Sequence, residues 1–132
     1  MSPAGRAATA ARYALGGIRL VNGTLGLLAP EVIIRRLGDT RPGSNPAAVY
    51  GLRLFGIRTV LIGADLFRLR DAELDRALRT AVLVHASDTA TVLGLWRRGQ
   101  LTPATARPLA LVSGINTVLA LTAAFAPPEE IR

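Results

Sequence analysis

The sequence of 132 residues contains no cysteine and no lysine, and it has a single histidine, His85. The missing cysteines exclude disulfide bonds, thiolate metal sites, cysteine nucleophiles and CxxC redox chemistry. One histidine is too few for a His-rich metal centre, a haem site or a di-iron site, so we expect no metal and no cofactor. Because lysine is absent, all 16 basic residues are Arg, and with 9 acidic residues they give a net charge of +7.

Aromatic residues are also scarce, with three Phe, two Tyr and one Trp. Nucleic-acid-binding domains combine a concentrated basic patch with a recognition helix or aromatic side chains that stack on bases. Here the Arg residues are scattered along the chain, and no helix-turn-helix pattern accompanies them. We therefore expect no nucleic-acid partner. Anionic lipid head groups are the simpler partners for Arg-rich loops.

Half of the residues are hydrophobic, and they gather in four blocks separated by joints rich in Arg, Pro and acidic residues. Each block has roughly 17–21 residues, the length with which a helix crosses a lipid bilayer. A soluble four-helix bundle is the alternative, but it needs a broad polar face on every helix, and the fourth block lacks one. The sequence thus predicts an all-α fold, one domain over residues 1–132 and a bundle of four transmembrane helices. The predicted helices are 13–29, 47–67, 77–96 and 109–126.

The joints carry recognisable helix signals. Val32–Arg36, followed by Gly38, predicts a short amphipathic segment at the membrane interface after the first helix. Asp71 is a candidate cap for the third helix and Thr102 for the fourth. No cleavable signal peptide is expected, since Arg19 interrupts the first apolar block.

The predicted location is the plasma (inner) membrane, with several passes across it. The two sides of a four-helix protein would carry nearly equal numbers of Arg, so the positive-inside rule does not choose the orientation. We take both termini as cytoplasmic.

A short phrase of Gly, Ile and a polar residue recurs in three of the four blocks. Such a repeat is either the trace of internal duplication, as in many transporters, or a chance recurrence of common residues. In both cases the Gly lets a neighbouring helix approach closely. The third block instead has a stripe of small residues, Ala86, Ala90 and Gly94, which predicts helix packing. The three phrases are Gly17–Val21, Gly56–Val60 and Gly114–Val118.

Every block also brings a strong hydrogen-bonding group close to its centre. A central Arg on a lipid-facing helix costs at least ~2.5 kcal/mol, so two of them need partners. We predict that Arg19 and Arg58 point inward and pair with Asp65 and Asp88. The full predicted set is Arg19, Asn22, Arg58, Asp65, His85, Asp88 and Asn116.

This set has two interpretations. It is a buried polar network that fixes the helices without any ligand, or it lines a path for a substrate or proton. In the second case the Arg residues suit an anionic head group or carboxylate, and His85 beside Asp88 is a candidate proton relay. The alternatives stay open at the level of the sequence.

Several of these residues also carry a family resemblance. The pattern resembles a loose group of small bacterial four-helix integral membrane proteins at the periphery of the DoxX-like proteins. The high Ala, Arg and Gly content without Lys is similar to actinobacterial proteins. The resemblance implies a fold and a location, and it supplies no activity. It rests on Ile18–Leu20, Gly23, Gly26, Pro30, Gly56–Arg58, Gly63 and Asp88.

The predicted function is that of a structural or accessory membrane component, as a homo-oligomer or as part of a larger membrane complex. A small transporter or a lipid- or anion-binding protein is the alternative. A membrane enzyme is a third class, in which only His85 or Asp88 qualifies as a base. We expect no catalytic residue.

Overall fold

The computed structural model describes residues 2–126, which form five α-helices, a short 3-10 turn and no β-strand. This confirms the predicted all-α class. The helices are α1 (Pro3–Leu28), α2 (Pro30–Arg36), α3 (Pro46–Arg68), α4 (Asp71–Arg97) and α5 (Pro103–Ala124), and the 3-10 turn is Pro42–Ser44.

Side-chain caps from Ser2, Asn45 and Thr102 set three of the helix starts. The Asn45 side chain accepts a hydrogen bond from the Ala48 amide at 3.1 Å, and the Thr102 hydroxyl accepts one from the Thr105 amide at 3.3 Å. The predicted Thr102 cap is therefore confirmed. The prediction for Asp71 is wrong, because Asp71 is the first residue of α4 and its φ of 48° helps turn the chain from α3 into α4.

The helices are longer than the apolar blocks that predicted them. α1 begins at Pro3, ten residues before the predicted start. Residues 7–11 are rich in Ala, the strongest helix former, but they lie outside the apolar block that was used to predict the helix. α4 includes the charged segment after Asp71, and α5 starts at Pro103 and continues through Pro108. Apolar runs therefore mark the middle of each helix rather than its ends.

A sharp bend separates α1 from α2. The two helices meet at 101° across Ala29, and Pro30 occupies the first position of α2. α2 buries Ile34 and exposes Arg35 and Arg36, and the chain then turns through Gly38 at a φ of 101°. The predicted amphipathic segment after the first helix is thus present.

The four long helices form two pairs. α1 packs along α3, α4 packs along α5, and contacts between α1 and α5 join the pairs, while α3 and α4 touch little. Glycines allow the close approach of α1 and α3. A Cβ atom placed on Gly23 would lie 2.8 Å from the Val60 amide nitrogen, and one on Gly56 would lie 2.6 Å from the Gly23 carbonyl oxygen.

The distribution of side chains is inverted relative to a water-soluble protein. The buried apolar cluster is small and consists of Leu15, Leu66, Leu78, Ala81 and Ala120. Many large apolar side chains are exposed, among them Val21, Leu61 and Val118, each about three-fifths exposed. Exposed apolar surface of this extent marks a membrane or protein contact.

Two helices, α3 and α5, are long and apolar enough to cross a membrane, and α1 with α2 meets the same criterion as a bent pair. α4 does not reach it as a single helix, and it carries His85, Ser87 and Asp88 along its middle. These properties are consistent with a membrane protein.

Candidate functional site

Arg19 is the centre of the candidate site, and it is 4% exposed. Glycine on the neighbouring helix makes room for it. A Cβ atom on Gly63 of α3 would lie 3.0 Å from the Cβ of Arg19 and 3.2 Å from the carbonyl oxygen of Gly16. Gly63 therefore lets α3 approach α1 closely at the level of Arg19.

The guanidinium of Arg19 reaches across to α4. Its Nη1 lies 2.9 Å from Nε2 of His85, which is also 4% exposed. Arg has only donors, so Nε2 must accept the hydrogen bond and the imidazole is neutral with its proton on Nδ1. This contact fixes the tautomer of His85.

Asp88 continues the series toward the surface. Its Oδ2 lies 3.6 Å from Nδ1 of His85, one helical turn away, and its side chain is 52% exposed. This separation is longer than a hydrogen bond. The His85 proton nevertheless lies on Nδ1, the ring nitrogen that faces the Asp88 carboxylate. A cation, a neutral imidazole and a carboxylate therefore follow one another from the interior outward.

α5 contributes polar residues to the same interior. Ser113 and Asn116 are buried, and the Ser113 hydroxyl donates to the carbonyl of Leu109 at 2.9 Å. The hydroxyls of Thr89 on α4 and Thr117 on α5 are 3.2 Å apart, which links these two helices. The hydroxyls of Thr89, Ser113 and Thr117 also donate to backbone carbonyls of their own helices.

Buried polar atoms nevertheless lack partners in the described part of the chain. They are Nε of Arg19, Nδ1 of His85 and Oδ1 of Asn116. Unsatisfied atoms of this kind call for an explanation, since their desolvation costs free energy without a compensating bond. The interior is therefore polar and only partly paired.

Arg58 and Asp65 lie outside the polar cluster of Arg19, His85 and Asp88. Arg58 is exposed, so its predicted inward orientation is wrong for the single chain. The reason is helical phase: α3 turns Gly56 and Thr59 toward the interior, and Arg58 lies about 200° around the helix from Gly56. Asp65 pairs instead with Arg68, its neighbour one turn on, at 3.2 Å.

The other predicted residues differ in their placement. Arg19, His85 and Asp88 come together, and Asn116 is buried on α5. Asn22 is partly buried on α1, one turn after Arg19. The cluster thus unites α1 and α4 by direct contact.

Arg12 is also buried, at 9% exposed, and it lies outside the set of residues that the sequence predicted. Its Nη2 donates to the carbonyl of Leu69 at 3.0 Å, and its Nε donates to the carbonyl of Leu66. These carbonyls belong to the end of α3, where helices leave their last acceptors unpaired. The available signal was spacing, because Arg12 precedes Arg19 by two turns on one face of α1.

The repeated Gly phrase has no common packing role. Only Gly56 meets a neighbouring helix closely, whereas a Cβ on Gly17 or Gly114 would meet nothing within 4 Å. The small-residue stripe also lies outside the chain's own packing, since Ala86 and Ala90 are exposed. The predicted contact for this stripe is therefore not made within one chain.

Two surface cavities lie away from the cluster. One is lined by residues of the α2–α3 joint, including Ile34, Asp39 and Asn45, and the other by Leu93, Trp96 and Arg97. Within residues 2–126 no three His, Asp or Glu side chains come together as metal ligands. Comparison with protein-family models, with curated proteins and with solved structures gives no match to this chain.

Proposed function

We propose that this protein is a multi-pass component of the plasma membrane that acts as an oligomer or as an accessory subunit of a larger complex. In this role its buried polar network holds helices together and moves no substrate. The observation that carries the proposal is the contact between Arg19 and His85. It joins the α1–α3 pair to the α4–α5 pair at a level where few other contacts exist between α1 and α4.

In this proposal all four long helices cross the membrane, with α2 at the interface. The exposed apolar residues of α3 and α5 meet lipid. α4 crosses despite its polar middle because His85 faces Arg19 rather than hydrocarbon, which reduces the cost of burying both. The DoxX-like resemblance supports the same arrangement, and anionic head groups are the expected contacts of Arg35 and Arg36.

Exposed surface is the second support for an assembly role. The stripe of Ala86, Ala90 and Gly94 is not covered within the chain, and small residues are typical of contacts between membrane helices. The proposal assigns no catalytic residue and no cofactor.

The test is native mass spectrometry of the full chain purified from membranes in mild detergent. We expect a mass of two or more copies, or of this chain with a second protein. A monomer without a protein partner at every detergent concentration would contradict the proposal.

A second candidate is binding of an anionic head group or carboxylate at Arg19. The observation that favours it is the buried, unpartnered Nε of Arg19, a donor whose hydrogen bond an anion would accept. It predicts a co-purifying anionic ligand that is lost in Arg19→Gln. Lipid analysis of both preparations distinguishes the two candidates, because the structural role requires no such ligand.

A further inference from the structure

Arg58 is a cation on the most apolar part of the molecular surface. It is exposed near the middle of α3, and Leu54, Ile57 and Leu61 around it are exposed too. In the part of the chain that the structure describes, no hydrogen bond or ion pair holds it. α3 is one of the two helices apolar enough to cross a membrane.

Depth makes a lipid phosphate a poor partner for Arg58. At 1.5 Å per residue, Arg58 is roughly 15 Å from the Arg68 end of α3 and roughly 18 Å from the Pro46 end. The side chain is much shorter than either distance, so it cannot reach head groups by extending along the helix. An unpaired Arg at this depth is costly, and such residues pair with other protein groups.

Asp88 on α4 has the complementary charge and lies at a matching depth. Leu66 of α3 and Leu78 of α4 belong to one buried cluster and give a common reference level. Measured from that level, Arg58 lies about 12 Å along α3 and Asp88 about 15 Å along α4. In the four-crossing arrangement proposed above, α3 and α4 run in opposite directions, so both residues lie on the same side of that level. The Asp88 side chain is half-exposed, so a second cation can approach it.

Within one chain these groups do not meet, since α3 and α4 touch little. In a dimer whose two-fold axis lies along the membrane normal, each residue keeps the same depth in both copies, and α3 of one copy can face α4 of the other. We propose that the chain forms a homodimer in which Arg58 of each copy pairs with Asp88 of the partner subunit. This inference rests on the membrane role proposed above, and it names the partner as a second copy.

The pair would extend the internal network across the interface. Asp88 lies between two groups, with His85 of its own chain on one side and the Arg58 of the other copy on the opposite side. An Arg–carboxylate pair makes two parallel hydrogen bonds, which gives geometric specificity as well as attraction. The two-fold axis repeats the pair, so each dimer contains it twice.

The test uses the absence of cysteine in the natural chain. Two differently tagged copies are co-expressed, one with Arg58→Cys and the other with Asp88→Cys, and the membranes are treated with a short membrane-permeant bismaleimide, because the long Arg side chain can pair with a carboxylate whose Cα lies beyond the ~7 Å that a disulfide bridges. We expect a cross-linked dimer that carries both tags. In this heterodimer one native Arg58–Asp88 pair is kept, so the substitutions do not remove the attraction entirely.

The matched control replaces Arg58→Cys with Arg53→Cys, which lies about 140° around α3 and is also exposed. It should give no dimer with both tags. Each cysteine variant expressed alone should also give little linked product. Equal linking from Arg53→Cys, or none from Arg58→Cys, would overturn the pairing.

Dimer affinity in detergent supplies an independent measure. Arg58→Gln should weaken dimerisation about tenfold to a hundredfold, which at 1.4 kcal/mol per factor of ten is about 1.4–2.8 kcal/mol for the two polar contacts that are lost. Arg58→Lys should retain most of the affinity. A stable dimer without the Arg58–Asp88 link overturns only this inference, whereas a monomer with no partner overturns the proposed function as well.

Discussion

The hydrogen bond between Arg19 and His85 predicts how substitutions at position 85 change stability. Arg19 needs an acceptor, and Nε2 of His85 provides it at 2.9 Å. We expect His85→Leu to lower the free energy of unfolding in detergent by roughly 1.5–3 kcal/mol, the usual contribution of a hydrogen bond to a charged group. Reversible unfolding by SDS, followed by circular dichroism, measures this change.

The control for that experiment is His85→Gln, because its amide oxygen can still accept from Arg19. His85→Gln should therefore keep more than half of the stability that His85→Leu loses. If the Leu and Gln variants unfold alike, Arg19 does not depend on an acceptor at position 85.

Asp88 should also contribute to stability, since it is the carboxylate nearest to the buried Arg19 and His85 pair. We expect Asp88→Asn to lower the melting temperature of the purified protein, because the amide removes the negative charge that balances Arg19. Asp75→Asn is the comparison: Asp75 pairs with Arg79 at 2.9 Å, but both side chains are more than half exposed. An exposed pair contributes at most about 1 kcal/mol, so that variant should change little.

An unchanged melting temperature and expression level in Asp88→Asn would mean that its charge does not stabilise the network. The measurement is differential scanning fluorimetry at one detergent concentration, so that micelle effects are the same for all variants.

Among the helices, the contact between α1 and α3 depends most on the absence of side chains. We expect Gly56→Ala to destabilise the protein by about 1–3 kcal/mol, the typical cost of overpacking a close contact. The added methyl would meet the backbone of α1 at Gly23 and at Leu27, neither of which can rotate away. Unfolding by SDS measures the loss.

Gly51→Ala is the matched control in the same helix, since a Cβ there meets nothing within 4 Å. It should be neutral or stabilising by up to about 1 kcal/mol, because Ala favours helix more than Gly does. Equal destabilisation by both variants would contradict the prediction, because the added methyl at Gly51 meets no neighbouring helix and the loss would then not come from the α1–α3 contact.

The sequence predicted helix middles and loop signals better than it predicted orientation. Apolar length identified all four long helices, and Thr102 and Gly38 marked ends correctly because caps and turns are local chemistry. Apolar length and local helix signals did not predict which face of α3 is buried. Gly56 and Arg58 are neighbours in the sequence, and only the packing of α1 decides which of them is buried.

The candidate site shows the same limit. Arg19, His85 and Asp88 could be grouped because an isolated charge in an apolar helix requires a partner. Which partner it takes depends on the pairing of α1 with α4, and that is not encoded in spacing. Asp65 illustrates the difference, because an Arg one turn away in its own helix is a closer partner than any distant one.

For the whole molecule, the number of membrane crossings is the most direct question. We expect four crossings, so the joint before α3 and the joint before α5 lie on one side, and the turn before α4 lies on the other. Single-cysteine variants Thr40→Cys, Gln100→Cys and Ala72→Cys report these sides in a chain that has no other thiol. Labelling with a membrane-impermeant maleimide, in sealed vesicles of both orientations, is the measurement.

Thr40→Cys and Gln100→Cys should label in the same vesicle preparation, and Ala72→Cys in the other. If Gln100→Cys labels together with Ala72→Cys, α4 does not cross the membrane and the four-crossing arrangement fails.

The bend between α1 and α2 has a consequence for the bilayer itself. In the proposed four-crossing arrangement, the angle of 101° would turn α2 nearly parallel to the membrane plane. A helix of this length is about 10 Å long and about 10 Å wide, and it would displace lipid from one leaflet only. This arrangement would give the protein a larger cross-section in that leaflet than in the other, and so the shape of a wedge.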